Sequence, residues 1–197
     1  AVHGRYAPAP GASALAFTPD CTRLVLCTAH GSFVHVLQLP TSSEAPHLLR
    51  SFAQHRSTRT ALDGRVLSGG HGQAAATPTP IVLAAVSSDG QWLVTADTAR
   101  RMHVFHLDTL SHQRALATPA YVPSGACFHP THPSLLALVL PTNQVSFYDL
   151  EADGEAPAWE AALRRDLDAA LSRIREPVVG CTWLPGPDGH ASLCVYG

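Results

Sequence analysis

The stretch AVSSDGQWLVTADTARRMHVFHLDTL, Ala85 to Leu110, decides the fold. Two apolar runs, Ile81 to Val86 and Trp92 to Ala96, flank Ser88-Asp89-Gly90, and a third, Met102 to Leu107, follows a polar break at Asp97-Thr98-Ala99-Arg100. Short runs rich in Val, Leu and aromatic residues, bounded by Gly, Asp and Ser, mark β-strands joined by tight turns. The arrangement recurs. Ala14 to Phe17, Leu24 to Cys27 and Phe33 to Leu39 repeat it, with turns at Thr18-Pro19-Asp20 and His30-Gly31. Gly125 to Phe128, Leu135 to Val139 and Gln144 to Asp149 repeat it again, and a fourth copy begins at Val179 to Leu184, turns at Pro187-Asp188-Gly189 and reaches Leu193 to Tyr196.

Aligned on the last apolar residue of each first strand, the copies fall at Phe17, Val86, Phe128 and Trp183. The step from 86 to 128 is 42 residues, the length of one propeller blade, while the steps of 69 (17 to 86) and 55 (128 to 183) leave room for insertions. The sequence therefore predicts an all-β chain, a β-propeller segment of three to four blades with one inserted amphipathic helix. Residues 1–46 form a blade, 47–80 a basic Gly/Pro-rich insertion loop, 81–121 and 122–156 two further blades, 157–176 the helix, and 177–197 the start of another blade. Such a set leaves open sheet edges, whereas propellers are stabilised by radial closure. The chain thus reads as a fragment of a longer propeller, expected to self-associate when alone.

The repeat resembles the WD-repeat family, whose repeats supply four strands each and whose third strand commonly ends in Trp-Asp. Here the third strands end in Leu37-Gln38, Phe105-His106 and Tyr148-Asp149, and no Gly-His dipeptide precedes the first strands. The expectation is of blades held by shape and apolar packing rather than by the hydrogen-bonded polar network of strong repeats. Two stretches, WLVTADTARRMHVFHLDTLSH (Trp92 to His112) and FHPTHPSLLALVLPTNQVSFYDLE (Phe128 to Glu151), with the segment running from Trp159 to REPVVGCTWLP, are similar to WD-repeat subunits of the small-subunit processome. That resemblance implies a nucleolar scaffold for ribosomal RNA processing, with other processome subunits and pre-rRNA as partners. The alternative is a WD-repeat protein-interaction module of another assembly, such as a ubiquitin ligase or a trafficking coat.

Charge gives no global pull toward nucleic acid or anionic lipid, because the net value is -2 over 197 residues. Any attraction to phosphate must be local. The segment His47 to Pro80 supplies it: Arg50, Arg56, Arg59 and Arg65 against the single acid Asp63, four minus one or +3. These four arginines are the candidate RNA contacts, a phosphate-tracking arm if not a merely solvated face. The Gly cluster at Ser68 to Gly72 lacks the Gly-Lys-Ser/Thr of a phosphate loop.

Between Pro157 and Ile174, the apolar residues Trp159, Leu163, Leu167, Leu171 and Ile174 recur every three or four positions. That is an amphipathic helix, with Pro157 in its first turn and Pro177 barring continuation. Its stripe either packs on its own propeller or docks another subunit.

No cofactor or metal is implied. His103 and His106 lie on one strand at odd separation and point to opposite faces. His129 and His132 sit in a Pro-braced turn where capping outweighs ligation. The five cysteines are odd in number and include no C-x-x-C, so reduced buried thiols are expected rather than a disulfide framework or a zinc ribbon. No nucleophile elbow or cysteine signature sets a nucleophile beside a base, so the sequence reads as no enzyme. A propeller hydrolase with a channel metal is the enzyme-class alternative. No apolar run approaches the ~18 residues of a membrane span, so no membrane partner is expected.

Overall fold

The computed structural model describes residues 14–28, 32–40, 44–57, 77–152, 167, 169–185 and 191–197. The all-β architecture predicted from the repeat is present. The first blade is β1 (Leu15–Phe17), β2 (Arg23–Thr28), β3 (Phe33–Gln38) and β4 (His47–Phe52), antiparallel and in chain order. A short pair, β5 (Arg56–Ser57) with β6 (Thr77–Pro78), follows. The second blade is β7 (Ile81–Val86), β8 (Trp92–Asp97), β9 (Met102–His106) and β10 (Ser111–Leu116); the third is β11 (Gly125–Phe128), β12 (Leu135–Leu140) and β13 (Gln144–Asp149); β14 (Gly180–Pro185) pairs with β15 (Ala191–Tyr196) in the fourth. The first strands of successive blades lie side by side, β1 by β7, β7 by β11 and β11 by β14, so the sheets are arrayed radially.

Burial follows from that array. One apolar cluster fills the space between blades one and two around Val25, Val34, Phe52 and Phe105, and a second fills the space between blades two and three around Val94, Val104, Leu136 and Leu138. A third, around Ala137, Val139, Phe147 and Cys181, lies between blades three and four. A strand with a neighbour sheet on both faces must be apolar on both, and this is why β12 reads LLALVL and is buried at every position. In β2, RLVLCT, only Val25 and Cys27 are fully buried; the opposite face of this blade is open and exposes Leu15, Phe17 and Leu48 by half or more.

The turns repeat as well. Thr18 Oγ1 donates to Asp20 Oδ1 at 2.6 Å, and Asp20 accepts from the Thr22 amide; in the next blade Ser87 Oγ donates to Asp89, which accepts from the Gln91 amide. A hydroxyl two residues before an Asp thus closes both first turns, as side-chain oxygens do in Asx-type turns. In the third blade His129 takes over: its Nδ1 accepts from the Thr131 and His132 amides at 3.2 Å, so it caps its turn as expected. The turns after β8 and β12 each hold a residue at positive φ, Arg100 (66°) and Asn143 (59°).

Two expectations are corrected. The insertion is shorter than 47–80, because His47–Phe52 is the outer strand of blade one and Phe52 packs on Phe105 with ring centroids 4.6 Å apart. His47, Arg50 and Ser51 hid a strand whose apolar residues, Leu48, Leu49 and Phe52, do not alternate because the register shifts at Leu49. The blades are also not held by apolar packing alone: blade two carries a buried polar network.

Candidate interaction surfaces

That network begins at His55, which lies just before β5 and is fully buried. Its Nδ1 bonds Asp97 Oδ2 at 2.9 Å and its Nε2 bonds Thr95 Oγ1 at 2.7 Å, both at the end of β8. Asp97 further accepts from the Arg101 amide at 2.9 Å and from Arg101 Nε at 2.8 Å. The Arg101 guanidinium then reaches back to the His55 carbonyl at 2.6 Å and to Thr79 Oγ1 at 2.7 Å. Burial opposes the Asp97 carboxylate, but the His55 hydrogen bond, the Arg101 amide and the adjacent positive groups outweigh it and hold its pKa below the usual value. The His103 ring stands edge-on to His55 with centroids 4.6 Å apart. A buried charge is tolerated only when paired and hydrogen-bonded, and here Arg101 and Thr95 come from blade two itself and His55 from the far side of the insertion.

The consequence is positional. His55 and Thr79 flank the β5–β6 pair, and Ser57 pairs with Thr77, so the network fixes the point where the basic segment leaves and rejoins the blade. Of the four candidate arginines, Arg50 is exposed on β4 and Arg56 lies in β5; Arg59 and Arg65 lie outside the described residues. Arg50 therefore belongs to blade one, and Arg56 to the strand at the root of the insertion.

The helical stripe divides. Leu171 is 2% exposed and belongs to the cluster between blades three and four, with Leu167 packed against it, so this part serves the chain's own core. Residues 167 and 169–171 are the helical ones described, and Ile174 lies beyond them, 39% exposed. Trp159 and Leu163 lie outside the described residues. The chain after Leu171 is clamped by Asn143, whose Nδ2 donates to the Ile174 and Glu176 carbonyls at 3.1 Å and whose Oδ1 accepts from the Val178 amide at 2.8 Å.

A groove of about 490 Å³ opens between blades three and four, lined by His129, His132, Leu135, Trp183 and Leu193. The His129 ring meets the Trp183 indole at a centroid distance of 4.5 Å. His103 and His106 do face apart: His103 contacts His112 and His106 contacts Trp92. Among the described residues, no group of three or more His, Cys, Asp or Glu is gathered as a metal would need, and no helix is long and apolar enough to cross a membrane.

Sequence reasoning missed His55, Thr95, Asp97 and Arg101 as a unit. The available signal was Thr95-x-Asp97 closing the second strand; the histidine was hidden because 25 residues separate His55 from Pro80, next to the first strand.

No family model matches the chain, and no curated protein matches it. Among solved structures it is similar to the structure of U3-55K, with 14% identity, 97% of this chain and 53% of that chain covered, and a TM-score of 0.56. It is also similar to the crystal structure of RRP9 WD40 repeats, at 14% identity, 97% and 52% coverage and a TM-score of 0.58. At such identity the likeness is one of fold: a WD40-type β-propeller segment. The chain spans about half the length of either structure.

Proposed function

We propose that this chain is part of a non-catalytic scaffold, a cirhin-like component of the small-subunit processome that acts in pre-rRNA processing and 18S rRNA maturation in the nucleolus. What supports the reading is the propeller likeness to U3-55K and to RRP9 across 97% of this chain, together with the resemblance of Trp92 to His112 and Phe128 to Glu151 to the second propeller of cirhin. Those stretches make up β8, β9 and the body of blade three, the parts packed between neighbouring sheets. The described surfaces agree with a role in assembly: exposed Arg50, the root of the basic segment beside a buried polar network, an apolar open face on blade one, and a groove between blades three and four. Phosphate contacts by a basic arm would position RNA without reading its sequence. Fold alone assigns no function, so partners decide.

Affinity purification of the tagged full-length protein, followed by mass spectrometry and RNA sequencing, tests the reading. Processome subunits and 5′ external transcribed spacer sequences are the expected companions. Recovery of coat or ubiquitin-ligase subunits without pre-rRNA would replace it with the alternative interaction module.

A further inference from the structure

The innermost strands β11 and β14 belong to different sheets, yet a Cβ placed on Gly125 would lie 2.8 Å from the Gly180 Cα. Glycine at both positions permits this approach of backbone to backbone. Just beyond it, Cys127 Sγ lies 3.2 Å from Cys181 Sγ, with the Cys127 thiol donating to Cys181. Cys181 is buried and Cys127 half-buried, and both border the cluster that joins blades three and four. The remaining three cysteines differ: Cys21 is exposed, Cys194 is half-buried, and Cys27 is buried, its thiol pushed up to about 12 by burial. The thiol pair has no part in the scaffold reading above.

We propose that Cys127 and Cys181 are a redox-modifiable pair, oxidised reversibly by low-molecular-weight disulfides of the glutathione class to a disulfide that joins blades three and four. One cysteine thiolate attacks a sulfur of the small disulfide, forming a mixed disulfide and expelling one small thiolate. The second cysteine, deprotonated, attacks the protein sulfur of that mixed disulfide, forming the Cys127–Cys181 bond and expelling the second small thiolate. The two cysteine protons end on the two small thiols. The protein sulfurs lose two electrons, and the small disulfide gains them.

Three features of the site favour that exchange. Closing the sulfurs to a bond length of about 2.05 Å asks for a movement of only about 1 Å. The hydrogen bond from Cys127 holds the Cys181 thiol below its usual pKa despite burial, while the same bond and burial push the Cys127 thiol up, so Cys181 is the thiolate that attacks first. The strands that carry the sulfurs are already in contact through their glycines, so no blade has to shift. In a compartment kept reducing by glutathione the hydrogen-bonded dithiol is the resting state, and the disulfide forms on oxidation. The bond would act on the adjoining groove, because Trp183 stands two residues beyond Cys181 on β14 and His129, two residues beyond Cys127, directly follows β11.

The full-length protein is equilibrated across ratios of glutathione disulfide to glutathione, then examined by intact mass and peptide mapping. The expected product has lost two hydrogens and yields a Cys127–Cys181 linked peptide, with any glutathione adduct confined to Cys21 and Cys194. Dithiothreitol reverses it. Because 54 residues separate the two cysteines, the oxidised form melts about 5–15 °C higher. Cys127→Ser, checked for fold by circular dichroism, loses both the linked peptide and the melting shift. Cys27→Ser, a control at a buried thiol outside the pair, retains both. Persistent glutathione adducts on Cys127 or Cys181, or both thiols surviving at ratios that modify Cys21, would overturn the proposal.

Discussion

His55 and Asp97, 42 residues apart in the chain, are both fully buried and share a hydrogen bond of 2.9 Å. The bond ties the segment before the basic insertion to the end of the second strand of blade two. Removing one partner leaves the other buried with an unmet charge or dipole, which costs more than the bond itself contributes. His55→Ala is expected to destabilise the protein by about 3–5 kcal/mol, and Thr95→Val by about 1–2 kcal/mol, as read by urea denaturation. Losses below ~1 kcal/mol for His55→Ala would show that the network is not holding the blade.

Acid should loosen the same region in two stages. Burial, reinforced by the positive potential of His55, His112 and Arg101, lowers the His103 pKa from 6.5 to about 4. Below pH 6.5 the unfolded chain therefore takes up a proton that the folded chain refuses, so stability is complete above 6.5 and falls as the pH drops toward 4. Asp97 has a lowered carboxylate pKa; its contribution is present above 3.8 and is lost at still lower pH, as the native carboxylate becomes protonated. His103→Phe should reduce the loss between pH 6.5 and 4, leaving the share of His112 and His129, whose pKa values burial also lowers, and the more acidic step, measured by thermal melts over a pH series. An unchanged pH profile would show that His103 is not the group responsible.

The repeat, its period and its tight turns were legible because each leaves a compositional mark. Ser87-Ser88-Asp89-Gly90 and Thr18-Pro19-Asp20 mark turns through hydroxyls and carboxylates that bond the backbone. Other features leave none. The positive φ values at Arg100 and Leu110 fall on residues that do not advertise a turn. The outer strand His47–Phe52 carries a bulge at Leu49, which sets Leu48 beside Leu49 and breaks the apolar alternation that would reveal it. The polar network was invisible for a different reason: its histidine is separated from the strands it serves by the insertion, and only the fold brings His55 to Thr95.

The helical stripe separates into a buried part and an exposed end, and substitution should do the same. Leu171→Asp places an unpaired charge in the cluster between blades three and four and should cost several kcal/mol, on the order of 3–5. Ile174→Asp, beyond the helical residues and 39% exposed, should stay within about 0.5 kcal/mol. Chemical denaturation of both variants checks this; equal effects would show that the stripe behaves as one surface.

If the basic segment tracks phosphate, its contribution is electrostatic and depends on salt. Replacing Arg50, Arg56, Arg59 and Arg65 with Gln should flatten the slope of log affinity against log salt for a single-stranded pre-rRNA fragment by about three, at roughly 0.7 per contact. Stability should hardly change at exposed Arg50. Fluorescence anisotropy over a salt series gives the slope, and an identical slope in the variant would return the arginines to a solvated surface.

The most direct test of the scaffold account is depletion of the full-length protein in cells that make it, followed by hybridisation with probes to the 5′ external transcribed spacer and to mature rRNAs. The account predicts accumulation of precursors that retain the spacer and a fall in 18S rRNA, with the large-subunit rRNA preserved. Normal spacer removal and an unchanged ratio of small- to large-subunit rRNA would contradict it.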